Sequence, residues 1–283
     1  MGYGAGMMVE LAIGDAYGAA FEYAPATFVA RHNTVEGYPK HPTHAGIEPG
    51  NYTDDTQMTL AVAELLAEGG SWTPLALADR FVEVFHRDPR VGYAGGFHAF
   101  LRSVTSGREF LDRIRPASDK SGAAMRVAPV GLLPTVAEVR HHAEVQARVT
   151  HDTPAGVSSA EAAALAVHYC HYGLGPLSGL TKWISDQLDT DWTRPWHGKV
   201  GSKGEMSVRA ALTALSSARS MTALLHQCIA YTGDVDTVAT IALAAAARSP
   251  EVADDLPAAL YRDLENGPYG RDHLRALNAG LMP

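Results

Sequence analysis

Acidic residues in three short segments have a spacing that could hold divalent cations. The first segment contains Asp15 and Glu22, which on a helix at about 100° per residue would lie only about 20° from alignment and so share a face. The other two segments are Thr53-Asp54-Asp55-Thr56 and Gly233-Asp234-Val235-Asp236-Thr237. If the three segments met in the fold, carboxylates about 4 Å apart would repel by about 4 kcal/mol per pair at an effective dielectric of about 20, so the cluster would require a cation.

The donor atoms in these segments indicate which cation that would be. All of them are oxygens of Asp, Glu and Thr, without Cys or His, which favours magnesium, manganese or calcium over zinc. Because the candidate ligands are numerous, two ions are expected rather than one.

Helix capping is the alternative explanation for the same acids. The segment at Thr53 immediately precedes an apolar stripe that begins at Met58, and the segment at Gly233 precedes another, residues 238–247. Asp and Thr are favoured at helix N-termini because their oxygens accept hydrogen bonds from exposed amides. Two adjacent acids between two threonines exceed what one cap requires, but residue types alone leave both explanations open.

The elements that would position these segments are predicted to be helices. Apolar residues recur at three- and four-residue spacing in Ala-rich stretches, which are residues 58–66, 160–169, 208–215, 221–229 and 238–247. Gly, Pro, Asn and His predict loops at residues 24–51, 87–96, 118–122 and 190–204. Period-two alternation, internal repeats and linkers are all missing from the sequence, so we expect one all-α domain over residues 1–283.

Composition limits the class of protein further. The chain is 46% hydrophobic, enough for a substantial core, and it has no stretch of about 20 uninterrupted apolar residues that would predict a membrane span. Cys170 and Cys228 form no ligand or disulfide pattern, which fits a reducing cytoplasm. A net charge of −8 argues against nucleic acid as a partner.

In order and position, the acidic segments resemble the ADP-ribosylglycohydrolase family. Residues 14–22 match its GDAxGxxxE pattern and residues 53–56 match its TDDT pattern. The family's GGDTDT pattern is matched in part, since Thr232 stands for the first Gly and Val235 for the middle Thr. The resemblance covers nearly the whole chain, and it implies a compact, single-domain orthogonal bundle of helices.

The resemblance also implies a binuclear magnesium centre, with Mn²⁺ as an alternative ion. Its ligands would be Thr53, Asp54, Asp55, Asp234, Asp236 and Thr237. The ions would orient the ribose hydroxyls and hold the attacking water. Glu22, or one of the ligand carboxylates Asp54 and Asp55, would handle the proton.

The segment Ser121-Gly122-Ala123-Ala124-Met125 and the residues after it look like the family's loop and helix that cradle the phosphates of ADP-ribose. A small-residue loop that enters a helix suits an anion physically. This resemblance implies substrate contacts from Ser121, Gly122, Ala123 and Met125. His151, after Thr150, would border the nucleotide, and Gly95 lies in a loop near the substrate. Phe97 stands where small hydroxyl residues are common in the family, so the shape of the substrate entrance is left open.

The function implied by the resemblance is removal of ADP-ribose from modified protein side chains, with arginine favoured by analogy with bacterial relatives. Serine-linked or nucleic-acid-linked ADP-ribose and a free ADP-ribosylated metabolite remain alternative substrates. An inactive ADP-ribose-binding or structural relative, like the jellyfish crystallins, is a competing interpretation. A metal-dependent phosphohydrolase of a small nucleotide and a helical binding module are two others.

Overall fold

The computed structural model describes residues 6–281, whose regular secondary structure is entirely helical. The α-helices are α1 (Met7–Ala19), α2 (Ala26–His32), α3 (Asp54–Ala67), α4 (Pro74–Arg87), α5 (Gly95–Arg102), α6 (Gly107–Arg113), α7 (Gly122–Met125), α8 (Val136–Arg148), α9 (Pro154–His171), α10 (Leu180–Gln187), α11 (Gly204–Ser216), α12 (Met221–Ala230), α13 (Val235–Ala246), α14 (Ala258–Asp263) and α15 (Arg271–Leu281). Two 3-10 helices span Ala128–Leu132 and Leu177–Gly179. The predicted all-α class is confirmed, and the ends of the predicted domain 1–283 lie outside the described residues.

Two helices, α1 and α13, form the centre of the fold, and every residue of both is buried. They pack directly against each other. A Cβ on Gly14 would lie 2.8 Å from the backbone of Ala239, and one on Gly18 would lie 2.4 Å from the Cα of Asp236. The two glycines, each unfavourable in a helix by about 1 kcal/mol, therefore let the backbones approach closely, and this places α13 beside the end of α1.

The helices predicted from apolar spacing are all present. They correspond to α3, α9, α11, α12 and α13, because a helix with a buried apolar stripe shows it in its sequence. Only the stretch 238–247 runs one residue past its helix. The predicted loop over residues 24–51 was wrong in part, since α2 lies within it. This helix has seven residues, of which only Val29 is buried, so it is too short to show a periodic stripe.

The loop predicted over residues 190–204 is held in place by buried contacts. The side chain of Trp192 is only 1% exposed, and Val200 forms a parallel bridge to Gly233. The loop is thereby fixed beside the N-terminus of α13. Within residues 6–281, no helix combines the length and the apolar character that a membrane span requires.

Candidate active site

The three acidic segments meet at one cavity of about 630 Å³. The turn after α1, the N-terminus of α3 and the N-terminus of α13 each bring side chains to its wall. The carboxylates that line it are Glu22, Asp54, Asp55, Asp234 and Asp236. The convergence that the metal hypothesis requires is therefore present in the fold.

Glu22 reaches the cavity by a different route from the one predicted. The helix expected over residues 14–22 ends at Ala19, so the shared helix face of Asp15 and Glu22 was wrong. Tyr23 adopts φ 51°, and its amide donates to the carbonyl of Gly233 at 2.8 Å. This left-handed residue ends the turn at residues 20–23 and ties that turn, which carries Glu22, to the segment before α13.

Glu22, Asp234 and Asp236 form a close group of carboxylates, in which one oxygen of each residue lies within 4.8 Å of one oxygen of the other two. Two oxygens of the acidic cluster, Oδ2 of Asp55 and Oδ1 of Asp236, are buried and have no hydrogen-bond partner among the described residues. Buried acceptors without partners are costly, and hard oxygen donors suit a divalent cation. The cluster is a candidate metal site, and Glu22 joins the candidate ligands although the sequence indicated only a proton-handling role.

Capping does not explain these acids, because the two helices they precede are not capped by them. Neither Thr53 nor Asp234, the N-cap residues of α3 and α13, makes a side-chain capping hydrogen bond. Instead, Asp15 on α1 caps α3 from outside: its Oδ2 accepts the amides of Thr53 at 3.0 Å and Thr56 at 2.9 Å. Asp15 thereby leaves the carboxylates of Asp54 and Asp55 free for the cavity.

The electrostatics of the cluster favour bound cations. Burial, followed by repulsion from Asp234 and Asp15, raises the pKa of Glu22 to about 7. Burial raises the pKa of Asp234 to about 6, although hydrogen bonds with the hydroxyls of Ser121 and Ser207 partly oppose this rise. The pKa values of Asp54, Asp55 and Asp236 are well above their usual range, first because of burial and then because of the other carboxylates. A divalent cation would offset this repulsion.

The two threonines among the predicted ligands lie beside the cluster in different ways. Thr237 is buried and lines the cavity. Thr53 is also buried but is not part of the cavity wall, and its hydroxyl donates to Oδ1 of Asp15 at 2.7 Å. That bond uses the hydrogen of Thr53 and leaves lone pairs on its oxygen.

Glycines bring loop backbone against the acidic residues. Gly92 has φ +105°, and a Cβ there would lie 2.3 Å from Oδ1 of Asp54. Gly233 has φ +94°, and a Cβ there would lie 1.9 Å from the carbonyl oxygen of Val200. Thr232, which stands where the family pattern has glycine, also takes a left-handed φ of 62°. This backbone disfavours a β-branched residue, which explains why glycine suits the position.

Most of the predicted substrate-binding residues line the same cavity as the carboxylates. Ser121, Gly122, Met125 and His151 line the cavity. Ala123 is fully buried and does not line it, and Gly95 lies between two lining residues without contributing itself. α7 has only four residues, so its dipole is slight. The backbone amide of Gly122, which lines the cavity, makes no backbone hydrogen bond within residues 6–281, so it is able to bind a ligand.

Several lining residues were missed by the sequence analysis as site residues. Two of them, Arg126 and Thr150, stand inside or next to segments that carry the family resemblance, so their positions were a usable signal. Further lining residues come from loops and short helices whose sequences show no motif, among them Tyr23, Phe100, Arg113, Arg115, Lys120 and Ser202. Phe97, which the sequence analysis placed near the substrate entrance, also lines the cavity. Ser202 belongs to the loop predicted over residues 190–204, which is therefore part of the cavity wall.

Fold and cavity together define the class: an all-helical protein with a carboxylate-lined cleft in the size range of small-molecule sites. The ADP-ribosylglycohydrolase family matches residues 4–282. The chain belongs to this family of ADP-ribosyl hydrolases, as the acidic segments predicted.

Individual relatives agree with this assignment. ADP-ribosylhydrolase ARH3 of Mus musculus is 30% identical over 182 residues, which are 60% of this chain and 49% of that protein, so the match spans about half of the relative. ADP-ribosyl-(dinitrogen reductase) glycohydrolase of Rhodospirillum rubrum is 24% identical over 273 residues, 92% of this chain and 89% of that protein. A solved structure named ADP-ribosylglycohydrolase-related protein complex superposes with a TM-score of 0.74 at 22% identity and covers 98% of this chain and 95% of its own. At that identity the structure supports the fold alone.

Proposed function

We propose that this chain is a magnesium-dependent hydrolase that removes ADP-ribose from modified protein side chains, and that arginine is the modified residue. The observation that carries the proposal is the set of five carboxylates on one cavity wall, two of which have buried oxygens without partners. A protein that only bound or packed would have no reason to keep such a self-repelling cluster. The linkage to arginine is argued by analogy with the bacterial relative, and the single domain over residues 1–283 is part of the same proposal.

Two Mg²⁺ ions, or Mn²⁺ in their place, would be held by Thr53, Asp54, Asp55, Asp234, Asp236 and Thr237, with Glu22 close enough to join them. These donors fit the ions because they are hard oxygens and because their own repulsion requires cationic charge. When bound, such ions polarise hydroxyl oxygens of the ribose and lower the pKa of a water molecule.

The reaction breaks the bond between the anomeric carbon of ribose and the guanidine nitrogen, and the oxygen of water takes the place of that nitrogen. Glu22 would accept the proton of the attacking water. Its carboxylate suits this task because it lines the cavity beside the candidate ligands Asp234 and Asp236, where a general base must lie to reach the attacking water. The remaining negative charge around the cavity stabilises the oxocarbenium-like transition state. The guanidine can carry a proton as it leaves, so the cleft needs no strong general acid.

ADP-ribose would be bound by the lining residues around Ser121 and His151. The amide of Gly122 is available for a phosphate oxygen, and Ser121, Met125 and His151 would contact the nucleotide. Ala123 is buried behind this segment and would act by holding it in place. Gly95 would act through the loop that carries it, because its neighbours Ala94 and Gly96 line the cavity.

The test is release of ADP-ribose from an arginine-modified protein, beside a serine-modified protein and an ADP-ribosylated nucleic acid end. We expect the arginine linkage to be cut fastest, and we expect Asp55→Ala and Asp236→Ala to abolish release. Asp186→Ala, which removes an exposed carboxylate on α10, is the matched control and should retain full activity. Full activity of either cluster variant would contradict the metal assignment. Binding of ADP-ribose without release from any substrate would indicate the inactive relative.

A further inference from the structure

A chain of hydrogen bonds connects a buried guanidinium to the histidine on the cavity wall. Nη2 of Arg126 donates to Oγ1 of Thr150 at 2.8 Å, and Oγ1 of Thr150 lies 2.6 Å from Nδ1 of His151. All three side chains are buried. A guanidinium can only donate, so the first bond fixes Thr150 as an acceptor from Arg126.

The direction of the second bond follows from the single hydrogen of the Thr150 hydroxyl. If Nδ1 of His151 carried a proton, Thr150 would accept from both neighbours. Its own hydrogen would then have no acceptor among the described residues, which is costly for a side chain that is only 4% exposed. The satisfied arrangement has Thr150 donating to Nδ1. The ring proton of a neutral His151 is then on Nε2.

Nε2 lies on the cavity side of the ring. A Cβ on Gly122 would be 3.2 Å from this nitrogen, and both residues line the cavity. Within residues 6–281, Nε2 of His151 has no hydrogen-bond partner that competes with a ligand. The nitrogen is therefore positioned to donate to a ligand oxygen beside Gly122.

Arg126 is rigidly held and has no carboxylate partner among the described residues. Its Nε donates to Oε1 of Gln146 at 2.8 Å, its Nη2 donates to the backbone carbonyl of Gln146 at 3.1 Å, and its guanidinium stacks on Phe81 at 4.4 Å. Burial and the nearby Arg126 charge lower the pKa of His151 to about 3. The imidazole is therefore neutral near pH 7 and does not serve as a general acid there.

We infer that Arg126 and Thr150 are positioning residues, which hold His151 as the Nε2–H tautomer so that it donates a hydrogen bond to an oxygen of bound ADP-ribose. The inference rests on the proposed function, since it takes ADP-ribose to be the ligand of the cavity. It assigns His151 to binding rather than to proton transfer. Variants of Thr150 should therefore change substrate affinity and leave the rate of the chemical step nearly unchanged.

The tautomer can be measured in the ligand-free protein, without any activity. Long-range ¹H–¹⁵N spectra of protein labelled in its histidines distinguish a protonated from an unprotonated ring nitrogen, and loss of one spin system in His151→Gln assigns the signal. We expect Nδ1 unprotonated and Nε2 protonated in the wild type, and a mixture of tautomers in Thr150→Val. An unprotonated Nε2 in the wild type would overturn the inference.

Binding then tests the role of the tautomer. We expect Thr150→Val to weaken ADP-ribose binding and to raise KM about 5- to 10-fold, as for loss of one well-placed hydrogen bond, with kcat within about 2-fold. Thr150→Ser keeps the hydroxyl and should restore wild-type affinity, which a merely structural role of the methyl group would not predict. Wild-type affinity in a folded Thr150→Val contradicts the inference. Absence of ADP-ribose binding by the wild type would instead contradict the proposed function, and the donor role with it, whatever tautomer the spectra show.

Discussion

Asp15 holds Thr53 by two groups at once, since its carboxylate accepts the Thr53 amide at 3.0 Å and the Thr53 hydroxyl at 2.7 Å. Asp15 lies in the central helix α1, and Thr53 is the residue that immediately precedes α3. A further pair of bonds from Thr56, at 2.9 Å and 2.6 Å, completes the set. One buried carboxylate therefore fixes the start of α3, from which Asp54 and Asp55 enter the cavity.

Removing this carboxylate should destabilise the protein more than removing an ordinary cap. We expect Asp15→Ala to lower the free energy of unfolding by about 2–4 kcal/mol, because four donors lose their acceptor in a buried site. Thr135→Ala, which removes the local cap of α8, should lower it by about 1 kcal/mol. Chemical denaturation of both variants measures the difference. Equal effects would show that Asp15 is no more than an ordinary cap.

Neutralising one member of the acidic cluster should raise the stability of the metal-free protein and abolish its activity. Asp236 is 4% exposed and has one oxygen without a partner, so in EDTA we expect Asp236→Asn to raise the free energy of unfolding by about 1–2 kcal/mol through relief of repulsion. The same variant should lose ADP-ribose release and the thermal stabilisation by magnesium.

Asp186→Asn, at an exposed position of α10, is the control for the change of charge alone. It should leave stability in EDTA, stabilisation by magnesium and activity nearly unchanged. Lower stability of Asp236→Asn in EDTA would show that the cluster is not repulsive in the metal-free protein.

The metal-free protein should become less stable as the pH rises. Glu22 and Asp234 have pKa values raised to about 7 and about 6, so the folded chain binds their protons more tightly than the unfolded chain does. Their contribution to stability is present below about pH 4 and is lost as the pH rises through about 7. Magnesium requires the deprotonated carboxylates, so its stabilising effect should grow over the same range.

Thermal unfolding with magnesium and with EDTA across this pH range measures both trends. In Glu22→Gln the fall in metal-free stability should be shallower, since one of the two groups no longer titrates. A stabilisation by magnesium that does not depend on pH would contradict carboxylate ligation.

The contact between α1 and α13 should tolerate no side chain at Gly18. A Cβ there would lie 2.4 Å from the Cα of Asp236, so Gly18→Ala should destabilise the protein by about 1–3 kcal/mol through overpacking and weaken magnesium binding by displacing Asp236. Gly280→Ala in α15 meets open space and should instead stabilise by up to about 1 kcal/mol. Calorimetry of the two variants compares them. If Gly18→Ala left the stability of the protein unchanged, the two backbones would be able to separate at no cost.

The sequence predicts the long helices and the acidic segments well, because both depend on local patterns. Apolar spacing identifies α13, and the pairing of acids with threonines identifies the N-termini of α3 and α13. The sequence could not predict how the turn after α1 carries Glu22 to the cavity, since that turn is tied down by a hydrogen bond from Tyr23 to Gly233, more than two hundred residues away. It also could not predict that Asp15 caps α3, because the two are far apart along the chain and come together only when α1 packs beside α3.

The cavity wall shows the same limit. Ser121, Gly122, Met125 and His151 were found because they lie in segments with a family pattern, and the structure places all four along the cavity. Lys120, Ser202 and Phe100 line it as well, yet they come from stretches whose residue types indicate no chemistry. Proximity created by the fold assigns them to the site.

The central claim is that the carboxylate cluster holds magnesium and that this complex releases ADP-ribose. The most direct test is the rate of ADP-ribose release from an arginine-modified protein in magnesium, then in EDTA, and again after magnesium is restored in excess. We predict release in magnesium, loss of release in EDTA and full recovery on restoration. Equal rates in magnesium and in EDTA would contradict the claim.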